Sequence, residues 1–302
     1  MDRMWGYLGA LAVALLFGVW FTLDKILLNY LHPFVLAAMT YLIATVFLFI
    51  IYFSPLYPRV LKILHGDTRV ETSISKKEYG ILILIALFGS VIAPSINLTG
   101  LNQITAVNAA LLANTEVLFV ILIGIFFLKE TVVRKDVLGF ACLLIGTIFL
   151  STNNFQNLTL TSNIYGNILV VVAAFFWSLD ASLSKFLSNK RDIIYITALE
   201  CAIGGSILLV ISLSMGLNFR LPLNLIPLLL FIGVICLSFS LVLSYFAIRE
   251  IGSTRTGSIY ALSSLFGAVI AFSVLKEPFT IYQLFFGILM LIGVLILYKN
   301  QK

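Results

Sequence analysis

The chain has 302 residues, of which 61% are hydrophobic and 11% charged, with a mean hydropathy of +1.10. Soluble domains run at about 25% charged residues, so this composition describes a chain that lives in a bilayer and leaves no length for a separate soluble domain. The net charge of +6 would suit nucleic acid if it were clustered, but it is distributed according to membrane topology, and nucleic-acid binding is set aside.

Apolar runs of spanning length fall at about 5–27, 33–54, 79–99, 104–127, 136–152, 164–186, 193–214, 224–248, 254–275 and 279–298. The runs are roughly twice the length of a barrel strand and do not alternate, so they predict ten helices and an all-α, polytopic integral membrane protein. The first run is too long for a signal peptide and is read as a retained helix. Cys142, Cys201 and Cys236 lie inside apolar runs as small buried hydrophobes.

Of the 19 basic residues, only Lys25, Arg220 and Lys276 fall on the side opposite the N-terminus. The positive-inside rule then places both termini in the cytoplasm, with the plasma membrane as the expected location. The longest connection, 55–78, carries five cations and is expected to be a solvated or surface-lying cytoplasmic loop.

The chain also resembles itself. A shift of 160 places Gly6 on Gly166, Ala14 on Ala174, Phe17 on Trp177 and Lys25 on Lys185. A shift of 147 places Leu128, Lys129 and Glu130 on Leu275, Lys276 and Glu277, and Gly146 on Gly293. The division is therefore residues 1–155 and 156–302, five helices each. Because five is odd, the halves enter the bilayer from opposite sides, and inverted repeats of this kind imply alternating access to one central site. Gly146 and Gly293 suit close helix packing within a protomer or in a homo-oligomer.

Phe17-Gly-Val-Trp-Phe-Thr-Leu-Asp-Lys25 and Trp177-Ser-Leu-Asp-Ala-Ser-Leu-Ser-Lys185, with Phe127-Leu-Lys-Glu130 and Val274-Leu-Lys-Glu277, resemble the EamA family of the drug/metabolite transporter superfamily over essentially the whole chain. The resemblance implies a secondary transporter or exporter of amino acids and other small metabolites. Two departures stand out: the family's mid-helix prolines are replaced by Glu116-Val117 and Ser263-Ser264, and its early arginine in the second helix is missing near Thr40.

An ionisable group inside the bilayer costs at least ~2.5 kcal/mol, which makes each one a functional candidate. Glu116, near the middle of the fourth run and on a face with Asn108, Leu112 and Phe119, is suited to take up a proton or a substrate ammonium; its other reading is a hydrogen-bonded core glutamate. Glu200, about two turns into the seventh run, is within reach of water or a snorkelling lysine and is the second coupling-ion candidate. Trp177 with Asp180, and Trp20 with Asp24, share helix faces and could bracket a cationic or amphipathic ligand, while each acid also sits where it could neutralise Lys25 or Lys185. Asn97, Asn108 and Tyr260 offer uncharged hydrogen-bonding faces to a polar solute, or glue between helices. Pro94 is expected to interrupt the third helix and expose backbone groups.

No Walker A motif, metalloprotease motif or Cys/His cluster is present, so no cofactor, metal or enzymatic activity is expected. The expected partners are a small-molecule substrate and the lipid bilayer. A membrane signalling or scaffold protein with structural buried acids is the rival reading, and an intramembrane enzyme would need Asp24 and Asp180 to meet.

Overall fold

A computed structural model describes residues 3–65, 75–128, 134–152, 162–188, 191–252, 256 and 259–300. Among the described residues the regular elements are helices: α1 (Arg3–Leu27), α2 (Pro33–Phe53), α3 (Tyr57–His65), α4 (Lys76–Ile85), α5 (Ala93–Gln103), α6 (Ala106–Leu112) and α7 (Thr115–Leu128), followed by α8 (Arg134–Thr152), α9 (Ser162–Ser188), α10 (Ile193–Ser214), α11 (Ile226–Phe231), α12 (Ser240–Ile251), α13 (Leu262–Leu275) and α14 (Ile281–Asn300). Six stretches are long and apolar enough to cross a membrane: Met4–Leu27, Pro33–Phe53, Lys76–Gln103, Ile164–Ser184, Ile193–Ser214 and Leu223–Ile251. The other four predicted spans coincide with shorter apolar helices, Ala106–Val120, Val137–Gly146, Leu262–Leu275 and Ile281–Gly293.

Polarity is turned inside out relative to a soluble protein. Phe53, Val210, Leu223 and Phe285 are exposed, whereas Thr22, Ser90, Asn97 and Glu200 are buried. Such an exterior is stable only against lipid, and the polar interior must satisfy its own hydrogen bonds.

The helices pair in a reciprocal pattern. α2 lies along α10 and α8 along α14; α1 packs on α12 and α13, and α9 packs on α5 and α7. Gly146 approaches Met290, and Gly293 approaches the Gly139 carbonyl and Cys142, so these two glycines bring α8 and α14 together within one chain.

Two π-helical segments interrupt long helices, Ala86–Ile92 between α4 and α5 and Ile232–Phe239 between α11 and α12. Pro94 explains the first. The Ala93 N–H reaches back five residues to the Phe88 carbonyl, and Pro94 has no N–H with which to continue, which leaves the Gly89 carbonyl without a helical partner. The expected interruption at Pro94 thus takes the form of a widened turn rather than a break, and it does release a backbone group into the interior.

Shorter interruptions occur where the prolines of the resembled family are missing. Residues 113–114 form a turn between α6 and α7, and Ala261 forms one before α13. Thr115 donates from Oγ1 to the Leu112 carbonyl at 2.8 Å and closes the first turn without a proline.

The 55–78 connection is more ordered than expected at its start. Over Tyr57–His65 it folds as a short helix with Leu64 buried, Val60 against the core, and Arg59 and Lys62 exposed, an amphipathic pattern that suits a surface-lying segment. Asn157-Leu-Thr has the form of an N-glycosylation sequon and, like Lys129, Glu130 and Arg255, lies outside the described residues.

Candidate functional site

The interior polar groups gather around the first π-segment. The Gly89 carbonyl released by Pro94 accepts from Tyr41 OH at 3.1 Å and from Trp177 Nε1 at 3.2 Å. Asp180, one turn beyond Trp177 on α9, packs against the same glycine so closely that a β-carbon there would meet Oδ2 at 2.5 Å. Gly89 is therefore required for this approach, and the shared face of Trp177 and Asp180 is directed at the irregular backbone.

Next to Gly89, Ser90 donates from Oγ to Glu200 Oε1 at 2.9 Å, and Tyr245 of α12 donates to Glu200 Oε2 at 3.0 Å. Ser184 donates to Asp180 Oδ1 at 3.0 Å, and its oxygen lies 3.2 Å from Tyr245 OH. Ser184 and Tyr245 thus stand side by side, each giving its one proton to a different acid, Asp180 and Glu200, and together they draw on α9, α12 and α10. Glu200 is 1% exposed and accepts from these two hydroxyls, Ser90 and Tyr245.

Glu116 follows the turn at 113–114 and is half-buried. Its charge is felt by Asp180 and by Tyr260, and Asp180 also feels Glu200, which brings all three acids into one electrostatic neighbourhood.

Aromatic rings line the side toward α1. Phe17 lies 5.9 Å from Trp20 and 5.7 Å from Tyr260, centroid to centroid. Trp20 Nε1 lies beside the Asp24 carboxyl and Tyr260 OH beside Ser244 Oγ, each buried pair short of full hydrogen-bond geometry. Of the acids and aromatics chosen from sequence, Trp177, Asp180 and Glu200 meet around the first π-segment, while Trp20 and Tyr260 flank Phe17.

The two asparagines are placed elsewhere. The turn at 113–114 ends the continuous face expected for Asn108 and Glu116; Asn108 instead donates to Asn167 Oδ1 of α9 at 2.7 Å and acts as glue between α6 and α9. Asn97 is buried in α5 with its Oδ1 unpartnered. Asp24 is also buried with Oδ1 unpartnered, beside Cys236 of the second π-segment, and it neither meets Asp180 nor neutralises Lys25.

Lys25 has a different task. Its Nζ donates to the Leu101 and Ile104 carbonyls at 2.7 Å each and to Asn102 at 3.3 Å, at the C-terminal end of α5. Across the connecting turn, the Glu277 carboxylate accepts from the Ala106 and Val107 amides at 3.1 and 3.0 Å, at the N-terminal end of α6. A cation on carbonyls and an anion on amides each match the helix dipole they face, and the two charges also attract each other.

The opposite side has its own fastening. Arg191 forms a bidentate pair with Glu78, with contacts of 2.7 to 2.9 Å, and Glu78 closes a capping box with Ser75. Asp192 caps α10 and accepts from Tyr57 OH of α3. Burial pushes the Asp192 carboxyl above the usual carboxylate range, while the Tyr57 hydroxyl and the Tyr195 and Ile194 amides pull it back.

Comparison with known proteins agrees with this architecture. The model of the EamA-like transporter family matches residues 4–152 and again 164–299. An uncharacterized transporter of Methanothermobacter thermautotrophicus is 46% identical over 100% of this chain and 88% of its own length. One from Archaeoglobus fulgidus is 27% identical over 96% of this chain and 97% of its own length, and the uncharacterized transporter YyaM of Bacillus subtilis is 25% identical over 96% and 92%. A solved crystal structure covers 100% of both chains with a TM-score of 0.69 at 14% identity, a likeness of fold.

Proposed function

The chain belongs to the EamA-like transporter family and is an integral membrane transporter, and we propose that it is a secondary, gradient-driven exporter of small polar metabolites such as amino acids. In this reading ten spans form two inverted five-helix repeats, 1–155 and 156–302, which expose one central site alternately to each face.

The observation that carries the reading is Glu116, a half-buried acid inside an apolar helix, placed just after a helix interruption. Glu116 keeps its capacity for a proton or a solute, and Glu200 with Asp180 supplies a hydrogen-bonded store for a coupling proton next to it.

The repeat is supported by irregularities that fall in corresponding places: π-segments at Ala86–Ile92 and Ile232–Phe239, and turns at 113–114 and at Ala261. The reciprocal packing of α1 on α12 and α13, and of α9 on α5 and α7, follows the same exchange. The family model matching twice is a further support. The excess of basic residues on the N-terminal side supports, in this reading, cytoplasmic termini and a plasma-membrane location. The chemistry proposed is translocation without covalent turnover, and no cofactor enters it.

The test is flux in proteoliposomes preloaded with pooled amino acids, sugars and nucleosides under an imposed pH gradient, with efflux read by mass spectrometry. Loss of one chemical class from protein-containing vesicles, and not from protein-free ones, is the expected result. Folded protein that moves none of them would replace transport with a signalling or scaffold role.

A further inference from the structure

We propose that Ser184 and Tyr245 form a proton relay: Asp180 and Glu200 hold a single exchangeable proton between them, and the two hydroxyls pass it from one acid to the other. The use of that proton in export rests on the transport reading, whereas the relay itself rests on hydrogen-bond geometry.

Four oxygens stand in a row. Asp180 Oδ1 lies 3.0 Å from Ser184 Oγ, Ser184 Oγ lies 3.2 Å from Tyr245 OH, and Tyr245 OH lies 3.0 Å from Glu200 Oε2. Ser184, Tyr245 and Glu200 are all buried. Three contacts need three protons, and the hydroxyls own two. With Ser184 turned to Asp180 and Tyr245 to Glu200, the contact between the hydroxyls has no hydrogen in it. Two buried oxygens then face each other lone pair to lone pair, which is a vacancy one proton fills.

The added proton can enter at either end. Carried by Asp180, it is donated to Ser184, Ser184 donates to Tyr245, and Tyr245 donates to a charged Glu200. Carried by Glu200, it is donated to Tyr245, and every bond runs the other way toward a charged Asp180. Passage between the two arrangements breaks one O–H bond and forms one at each contact, so the proton and the negative charge exchange ends while each hydroxyl keeps a hydrogen. Ser90 donates to Glu200 Oε1 at 2.9 Å in both. The count holds whatever cation stands near the pair. Tyr41 of α2, Cys201 of α10 and Glu116 of α7 are the other titratable groups in electrostatic reach of it. Asp180 and Ser184 lie one turn apart on α9, with Glu200 on α10 and Tyr245 on α12, so the proton ties α9 to α12 and its departure loosens that tie.

The test is infrared difference spectroscopy across a pH titration of the purified full chain in lipid vesicles, read at the C=O stretch of protonated carboxyls and the C–O stretch of tyrosine. The double variant Asp180→Asn with Glu200→Gln removes the part of the carboxyl band that belongs to the pair. Each single substitution is expected to remove as much as the double, because an amide at one end donates as the protonated acid does and leaves the other acid charged. The Tyr245 band, identified by its absence in Tyr245→Phe, is expected to shift in step with the carboxyl band, since Tyr245 accepts from Ser184 only when the proton is present. Ser184→Ala, which removes a single oxygen and serves if the amide variants do not fold, is expected to lose most of that shift, and Ser184→Thr to restore it. Single losses that add up to the double, a double variant that keeps the whole band, or a Tyr245 band that moves as far in folded Ser184→Ala overturns the proposal. Equal losses without flux of any solute leave the relay standing and overturn the transport reading. Gradient-driven flux with additive losses does the reverse.

Discussion

Asn114 and Ser264 join the two helix interruptions. Asn114 Nδ2 donates to Ser264 Oγ at 2.8 Å, and Ser264 Oγ donates in turn to the Ala261 carbonyl at 2.7 Å. The residue in the turn before α7 is thereby tied to the turn before α13, across 150 positions of sequence. Glu116 lies two residues from Asn114 and Tyr260 next to Ala261, so both stand close in sequence to this link.

Removing either side of that link should cost stability and do so non-additively. Asn114→Ala and Ser264→Ala are each expected to destabilise by about 1–3 kcal/mol, since each leaves a buried polar group unmet. The double variant is expected to lose less than the total of the two. Thermal unfolding in detergent measures all three; strict additivity would mean that the two side chains act separately.

Lys25 and Glu277 grip opposite sides of the turn between α5 and α6, and either can be withdrawn. Lys25→Met or Glu277→Gln is expected to loosen the turn, giving faster hydrogen exchange at the Ala106 and Val107 amides and little change in the buried core of α10. Unchanged exchange at those amides in Glu277→Gln would show that the dipole contacts are ornamental.

Pro94→Ala returns a backbone N–H opposite Gly89. The widened turn is expected to tighten, with the Gly89 carbonyl taken back by the helix and Tyr41 and Trp177 losing their acceptor. The measurable outcome is a shift in tryptophan emission with thermal stability held or raised, accompanied by loss of transport.

Asp192 gives a pH dependence outside the membrane. Its carboxyl is raised by burial in the folded state, so folding favours the protonated form. The stability this proton contributes is fully present below the carboxyl's unfolded range and is lost as pH rises through the raised folded value. Asp192→Asn keeps the cap and removes the titration. The melting temperature of wild type relative to Asp192→Asn is therefore expected to fall as pH is raised from roughly 4 to 7.

Much of this was legible in the sequence. Long apolar runs fix membrane-crossing helices because the bilayer leaves few alternatives, and intramembrane acids announce themselves by their cost. Pro94 was legible as an interruption because a missing N–H acts locally. Ser90, Ser184, Tyr41 and Tyr245 were not, since a hydroxyl inside an apolar run carries no charge and its partner lies on another helix. Glu277 appeared only as one mark of the internal repeat; its contact lies 171 residues away and depends on the packed fold. Asn108 was misassigned to the face of Glu116 because helical periodicity was carried through a turn that no proline or glycine signals. Lys25 was paired with its neighbour Asp24 because adjacency in sequence was taken for adjacency in space.

The central claim is that one chamber, marked by Glu116, opens in turn to both faces of the membrane. Its most direct test is Glu116→Cys in a chain with Cys142, Cys201 and Cys236 replaced by serine or alanine, reconstituted in one orientation and treated with a membrane-impermeant thiol reagent on either side. Alternating access predicts labelling from the outside and, in a separate sample, from the inside, with a solute gradient shifting the ratio. Labelling from one face alone under every gradient, or none from either face in folded protein, would contradict it.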